Sequence, residues 1–147
     1  MDCKDLANAG VTLDSLTPSE WDASYRDPRV TAVVAIEPGL TWGLTPEDVT
    51  GLRVPLHLIG FGNGPDRLLA TDFDTSRFAE LVPDATIDQI APAFHFTALP
   101  LCKPGAEAIL AEDKDDPVCT DPAGTDRAAV HQAIIDQLAA DLGLPPA

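Results

Sequence analysis

The chain has 147 residues and a formal net charge of −15, from nine Lys and Arg against 24 Asp and Glu. An apolar content of 45% is enough for a hydrophobic core in a chain of about one domain's length. The negative charge repels phosphate backbones and anionic lipid surfaces, so we expect neither nucleic acid nor a membrane as a partner. Residues 1–5 lack the basic and apolar regions of a signal peptide, so nothing in this sequence directs export.

Residues 1–28 predict an N-terminal helix and a loop. Residues 2–16 carry weakly periodic apolar positions with a turn at Gly10, which favours a short helix. The following residues, up to about 29, combine prolines, acids and Trp21, a composition typical of a loop that covers an existing surface.

Three apolar segments predict the strands of a parallel sheet. Arg29 to Ile36 is almost continuously apolar, which predicts a strand buried on both faces. Val54 to Ile59 predicts a second strand and Thr86 to Ile90 a third.

Helices are expected between and after these strands. The last is the clearest, because its apolar residues form one stripe and it ends at Gly143 before two prolines. The alternation of strands and helices predicts a single α/β domain over residues 1–147, with strand–helix repeats and the terminal helix in residues 29–147. The expected helix starts are Thr45, Asp74, Gly105 and Thr125, and the apolar stripe of the last helix is Val130, Ile134, Ile135, Leu138 and Leu142.

Candidate reactive side chains follow all three predicted strands. Glu37 ends the first strand, Asp66 lies in the loop after the second, and His95 follows the third. Parallel strands bring such ends to one edge of a sheet, where open α/β folds collect their reactive groups. Imidazole exchanges protons near neutral pH, so His95 is the best candidate for acid–base chemistry. The alternatives are a packed loop histidine and a solvated strand-end carboxylate.

The glycine-rich loop after the second strand does not predict a cofactor site. Gly60 to Asp66 contains three glycines, but Pro65 stands where a dinucleotide fingerprint would open into a helix. We therefore expect a plain turn and no cofactor.

The cysteines leave two possibilities open. Cys102 and Cys119 flank the acidic segment 111–117 and would close a moderate loop if they form a disulfide, with Cys3 left over. Free buried thiols are the alternative. No Cys or His cluster has metal-ligand spacing, so we expect no metal site.

Four segments resemble a known family. They are residues 26–39 (RDPRVTAVVAIEPG), 54–59 (VPLHLI), 95–102 (HFTALPLC) and 119–131 (CTDPAGTDRAAVH). Together they resemble the C-terminal part of predicted dienelactone hydrolases, which are α/β-hydrolases related to platelet-activating-factor acetylhydrolases. The resemblance extends from about residue 20 to residue 142.

The resemblance implies a partial α/β-hydrolase sheet and a role for each candidate. His95 would be the triad base, and Cys102 and Cys119 would form the family's disulfide, which suggests a periplasmic or secreted relative. Most α/β-hydrolases place the acid where this chain has Asn63. The acetylhydrolase-like branch places it after the preceding strand, so Glu37 is the first choice and Asp66 the second. The substrate would be a small ester or lactone.

One departure from the family decides the functional expectation. The nucleophile elbow, Gly-x-Ser-x-Gly, is missing, and Ser15, Ser19, Ser24 and Ser76 fit caps and loop hydroxyls. We expect the acid-and-base half of a serine ester or lactone hydrolase that is inactive alone, either a fragment or a truncated gene product. The alternative is a non-catalytic α/β binding or orphan module. The first strand would lack a neighbour, so we also expect a homo-oligomer or a partner that supplies the missing half.

Overall fold

The computed structural model describes residues 3–10, 17, 19, 24, 26–39 and 41–145. Trp21, Ser15 and about half of the predicted loop before residue 29 lie outside these residues. The helices are α1 (Cys3–Asn8), α2 (Pro46–Val49), α3 (Phe78–Leu81), α4 (Ala106–Asp113) and α5 (Arg127–Asp141), and the strands are β1 (Val33–Ile36), β2 (Leu56–Phe61) and β3 (Thr86–Ile90). Single 3₁₀ turns span Gly64–Asp66, Leu69–Thr71 and His95–Ala98.

The three strands form one parallel sheet in the order β1–β2–β3. This confirms the prediction of an α/β fold with about three parallel strands, and β3 has the predicted bounds. Ile36 pairs with Ile59, and Phe61 pairs with Ile90. This register brings the carboxyl ends of all three strands to one edge of the sheet.

The core consists of two clusters that cover opposite faces of β2. Helix α5 packs on one face, and α3 with its neighbouring turns packs on the other. The buried residues of the first cluster are Ile59, Phe61, Ala93, Val130 and Ile134, and those of the second are Leu56, Leu58, Phe73 and Val82. Burying one such large side chain contributes roughly 1.5–3 kcal/mol. The central strand β2 therefore anchors both layers.

Strand β1 is shorter and more exposed than the prediction of a doubly buried strand over residues 29–36. Only residues 33–36 form the strand, and Val30 and Ile36 are 46% and 36% exposed. The physical reason is its position at an edge. β1 pairs with β2 on one side, and on the other side the described residues provide no strand.

Two predicted helix starts are wrong. Asp126, not Thr125, caps α5, because its carboxylate accepts a hydrogen bond from the Ala129 N–H at 3.1 Å. Asp74 lies in a turn and pairs with Arg67. The helix α3 begins four residues later, at Phe78.

The apolar stripe of α5 is narrower than predicted. Ile135 and Leu142 are 45% and 46% exposed, whereas Val130 and Ile134 are buried. In the described part of the chain the sheet beneath α5 has three strands, so it covers a narrow face of the helix. No helix among the described residues is both long and apolar enough to cross a membrane.

Cys102 and Cys119 form a disulfide, as the resemblance implied, with their Cα atoms 5.8 Å apart. The bond closes a loop that contains α4. A loop of about this length can stabilise the fold by roughly 3 kcal/mol, mainly by restricting the unfolded chain.

Gly62 lets two segments approach closely beside the sheet edge. Its φ is +72°, and a Cβ at this position would lie 2.6 Å from the Asp66 carbonyl oxygen and 2.7 Å from that of Ala93. Ala93 stands two residues before His95. The glycine therefore allows the His95 loop to pack against the turn after β2.

We predict that Gly62→Ala destabilises the fold far more than Gly64→Ala. Both glycines have a positive φ, but a Cβ added at Gly64 would meet no atom within 4 Å. Each change costs roughly 1–2 kcal/mol for the left-handed backbone, and only Gly62→Ala adds the contact with two carbonyl oxygens. Denaturant unfolding of both variants measures the difference, and equal losses of unfolding free energy would show that the close approach is unimportant.

The disulfide predicts the thiol count of the denatured chain. Two of the three cysteines are joined, so titration in denaturant without reductant should find one reactive thiol for each chain. Prior reduction should raise the count to three. Three thiols in an oxidised preparation would contradict the bond.

Candidate acid–base site

Glu37 ends β1 in a conformation that is uncommon for a residue with a side chain. Its φ is +50°, in the left-handed region. Its N–H still continues the sheet, donating to the Ile59 carbonyl at 2.8 Å. The next ladder position belongs to the Phe61 N–H, which donates to Oε1 of Glu37 at 2.5 Å instead of to a main-chain carbonyl. The turn at Glu37 thus replaces one link of the sheet with a carboxylate.

The carboxylate of Glu37 is buried and has three hydrogen-bond partners. Oε1 accepts from Phe61, and Oε2 accepts from the Thr71 hydroxyl at 2.7 Å. Oε2 also lies 3.1 Å from Nδ1 of His95. Only 6% of the Glu37 side chain is exposed. A buried carboxylate needs such donors, because removal from water without them is costly.

The hydrogen bond to Glu37 sets the tautomer of His95. An ionised carboxylate only accepts hydrogen bonds, so the hydrogen of a neutral imidazole resides on Nδ1 and the lone pair on Nε2. Within the described part of the chain, Nε2 has no hydrogen-bond partner, and the side chain is 30% exposed. The imidazole and the Phe96 ring pack in a T-shaped arrangement with their centroids 5.1 Å apart. His95 therefore presents an accessible basic nitrogen.

Asp66, the second candidate acid, does not join this pair. It lies in the 3₁₀ turn after β2, and its side chain forms no hydrogen bond with His95. Glu37 is the acid that the structure places beside the imidazole.

No described serine forms a hydrogen bond with His95. Ser76 instead shares a hydrogen bond with Thr41 at 2.9 Å between the two hydroxyl oxygens. Ser19 and Ser24 form no hydrogen bond with the imidazole among the residues that the structure describes. Among the described residues, the acid and the base therefore meet without a serine hydroxyl bonded to the imidazole.

A buried polar network that we did not predict supports the His95 turn. Thr97, with no exposed surface, donates from its hydroxyl to Oδ1 of Asp121 at 2.7 Å. Arg127 donates two hydrogen bonds to the same carboxylate, from Nε and from Nη2, each at 2.9 Å. His131 donates from Nε2 to the Thr97 carbonyl at 2.8 Å. The sequence held a signal for these residues that we did not interpret. All four lie in segments 95–102 and 119–131, which were quoted above for the family resemblance.

Asp121 gives this network its pH dependence. Burial raises the pKa of Asp121, but hydrogen bonds from Arg127 and Thr97 outweigh it and hold the pKa below its usual value. A lowered pKa in the folded state means that the carboxylate stabilises the fold fully above the unfolded pKa of about 3.9. That contribution is lost as the pH falls through the lower, folded value.

A second histidine and carboxylate lie at the opposite end of the sheet. Nδ1 of His57 is 3.1 Å from Oδ1 of Asp141, but the two atoms are not aligned as a hydrogen bond, and Nδ1 is buried without one. His57 is four residues from Phe61 on β2, or about 13 Å along a strand. It is therefore not part of the site. The described residues also hold no cluster of three or more His, Cys, Asp or Glu placed to bind a metal ion.

We predict that Glu37→Gln moves the His95 hydrogen from Nδ1 to Nε2. The Phe61 N–H still needs an acceptor, so the glutamine oxygen takes the place of Oε1 and the NH2 group takes the place of Oε2. That NH2 group is a donor, so Nδ1 of His95 must become an acceptor to keep the contact. The ¹⁵N shifts of the imidazole report the tautomer directly at a pH where the ring is neutral. Asp66→Asn is the matched control and should leave both shifts unchanged. Unaltered shifts in Glu37→Gln would show that Glu37 does not set the tautomer.

A scan against protein-family models and searches of curated proteins and of solved structures each found no match to this chain. The relation to dienelactone hydrolases therefore rests on the residues quoted above and stays a hypothesis.

Proposed function

We propose that the chain supplies the acid and the base of a serine ester or lactone hydrolase of the dienelactone hydrolase type. The observation that carries the proposal is the hydrogen bond between Glu37 and His95 at the carboxyl edge of the parallel sheet. A buried carboxylate that fixes Nδ1–H leaves Nε2 as a base, which is the arrangement of the hydrolase triads. The location agrees with the rule that open α/β sheets place ligands at this edge.

The pair suits both halves of an acyl-transfer reaction. Nε2 of His95 takes the proton of a hydroxyl nucleophile while the hydroxyl oxygen forms a bond to the ester carbonyl carbon. The imidazolium then returns that proton to the alkoxide oxygen as the carbon–oxygen bond breaks. Water repeats the sequence on the acyl-enzyme and releases the acid. Glu37 holds the tautomer and stabilises the imidazolium throughout.

The nucleophile has to come from residues that do not contact His95 in the described fold. A strand that carries the nucleophile can pair with the outer edge of β1, because β1 has no partner on that side among the described residues. In the fold implied by the resemblance, the strand that leads to the nucleophile elbow belongs beside β1. A second copy of the chain would bring two charges of −15 together, so mutual repulsion favours a different, serine-bearing partner or chain segment.

A non-catalytic α/β module is the second candidate. It is favoured by the same lack of a hydroxyl at Nε2 among the described side chains. In that case Glu37 would serve the sheet alone, by accepting the Phe61 N–H. The contact with His95 would then have no functional consequence.

The test is complementation. We predict that the chain alone shows no His95-dependent hydrolysis of short p-nitrophenyl esters, because a general base adds about 10²- to 10⁴-fold only when it acts on a positioned nucleophile. Addition of the nucleophile-bearing half of a dienelactone hydrolase-like enzyme, fused or as a separate chain, should create esterase activity.

The variants separate the two candidate acids. His95→Ala should abolish the complemented activity, Glu37→Gln should lower kcat by up to about 10⁴-fold through the wrong tautomer, and Asp66→Asn should have little effect. Complemented activity that survives His95→Ala would refute the proposed role. Turnover by the chain alone that is lost in His95→Ala would reveal a nucleophile within it.

A further inference from the structure

We infer that Thr97, Asp121, Arg127 and His131 form a positioning network that holds His95 against Glu37. None of the four hydrogen bonds the imidazole, so their effect passes through the main chain of the His95–Ala98 turn. The geometry of the network is independent of the proposed function, but its effect on catalysis rests on that function, because a positioned imidazole matters only if His95 is the base.

Thr97 closes the turn that carries His95. Its N–H donates to the Phe94 carbonyl at 2.7 Å, and its hydroxyl oxygen accepts from the Phe94 N–H at 2.9 Å. These two bonds link the residue before His95 to the second residue after it. The backbone around the histidine is therefore fixed from both sides.

The remaining polar groups of Thr97 tie the turn to the rest of the fold. The hydroxyl donates a hydrogen bond to the Asp121 carboxylate, and the main-chain carbonyl accepts one from His131 on α5. Every hydrogen-bonding group of this fully buried residue thus has a partner. Removal of one partner would leave a buried group unsatisfied, at a cost comparable to or larger than that of an ordinary hydrogen bond.

Arg127 holds Asp121 in place and joins two further segments. Its guanidinium donates to the Val118 carbonyl at 2.9 Å and to the Pro100 carbonyl at 3.3 Å. Val118 lies next to Cys119, and Pro100 lies two residues before Cys102. The guanidinium and the disulfide therefore join the same two stretches of chain. Only 7% of the Arg127 side chain is exposed. A buried, bidentate pair of this kind fixes geometry more strictly than a surface ion pair.

The two supports of His95 are therefore independent. Glu37 reaches the imidazole from the end of β1, and the network fixes its main chain from α5 and the segment near Cys119. The Nδ1–Oε2 distance of 3.1 Å depends on both.

The experiment compares Thr97→Val with Thr97→Ser. Valine keeps the shape of threonine but removes the hydroxyl, whereas serine keeps the hydroxyl. The readout is the downfield Nδ1–H proton resonance of His95 in the full chain, with the imidazole ¹⁵N shifts. We expect Thr97→Val to lose the resonance and Thr97→Ser to retain it. Ile134→Val in the core beneath α5 is a destabilising control that should leave the resonance intact.

His131→Ala provides a second variant, because His131 is only partly buried and its loss should be tolerated even if Thr97→Val does not fold. It should weaken or abolish the same resonance. Retention of an unchanged resonance in folded Thr97→Val or in His131→Ala would overturn the inference and leave these residues a purely structural role. The measurement needs no catalysis, so its failure is distinguishable from a failure of the complementation experiment.

Discussion

The buried carboxylate of Glu37 is the interaction on which the candidate site depends. It takes the place of a main-chain carbonyl in the ladder between β1 and β2, and the same group binds the His95 imidazole. One side chain thus completes the sheet and sets the tautomer of the base. The left-handed backbone at Glu37 makes this double role possible. Such conformations cost of order 1–3 kcal/mol and persist where the surrounding structure enforces them.

The two demands of an acid–base pair, orientation and shielding, are met by different parts of the fold. Orientation comes from Glu37 and from the turn that Thr97 closes. Shielding is one-sided, since the Glu37 side chain is almost fully buried while His95 keeps 30% of its side chain exposed. The exposed part of the imidazole is therefore where it can exchange a proton with a substrate or with water. The described groups that hydrogen bond Glu37 are a main-chain N–H, a hydroxyl and an imidazole.

The polar network joins two segments that are distant in the sequence. Residues 95–102 and 119–131 contribute the turn, both cysteines, Asp121, Arg127 and His131, and these groups meet in space. The spacing of the two segments reflects the length of the α4 loop that the disulfide closes.

The sequence alone determined the fold class, the approximate positions of the three strands, with exact bounds only for β3, and the presence of acids and a histidine where the strands end. Apolar runs and turn residues encode these features locally, and parallel order then brings the strand ends to one edge. Tertiary structure decided the rest. The exposure of β1 and the narrow buried face of α5 depend on how many strands surround them, and Thr71 reaches Glu37 across 34 positions of sequence. The contact of His95 with Glu37, and not with Asp66, likewise depends on a left-handed turn at one residue, which no local pattern indicates.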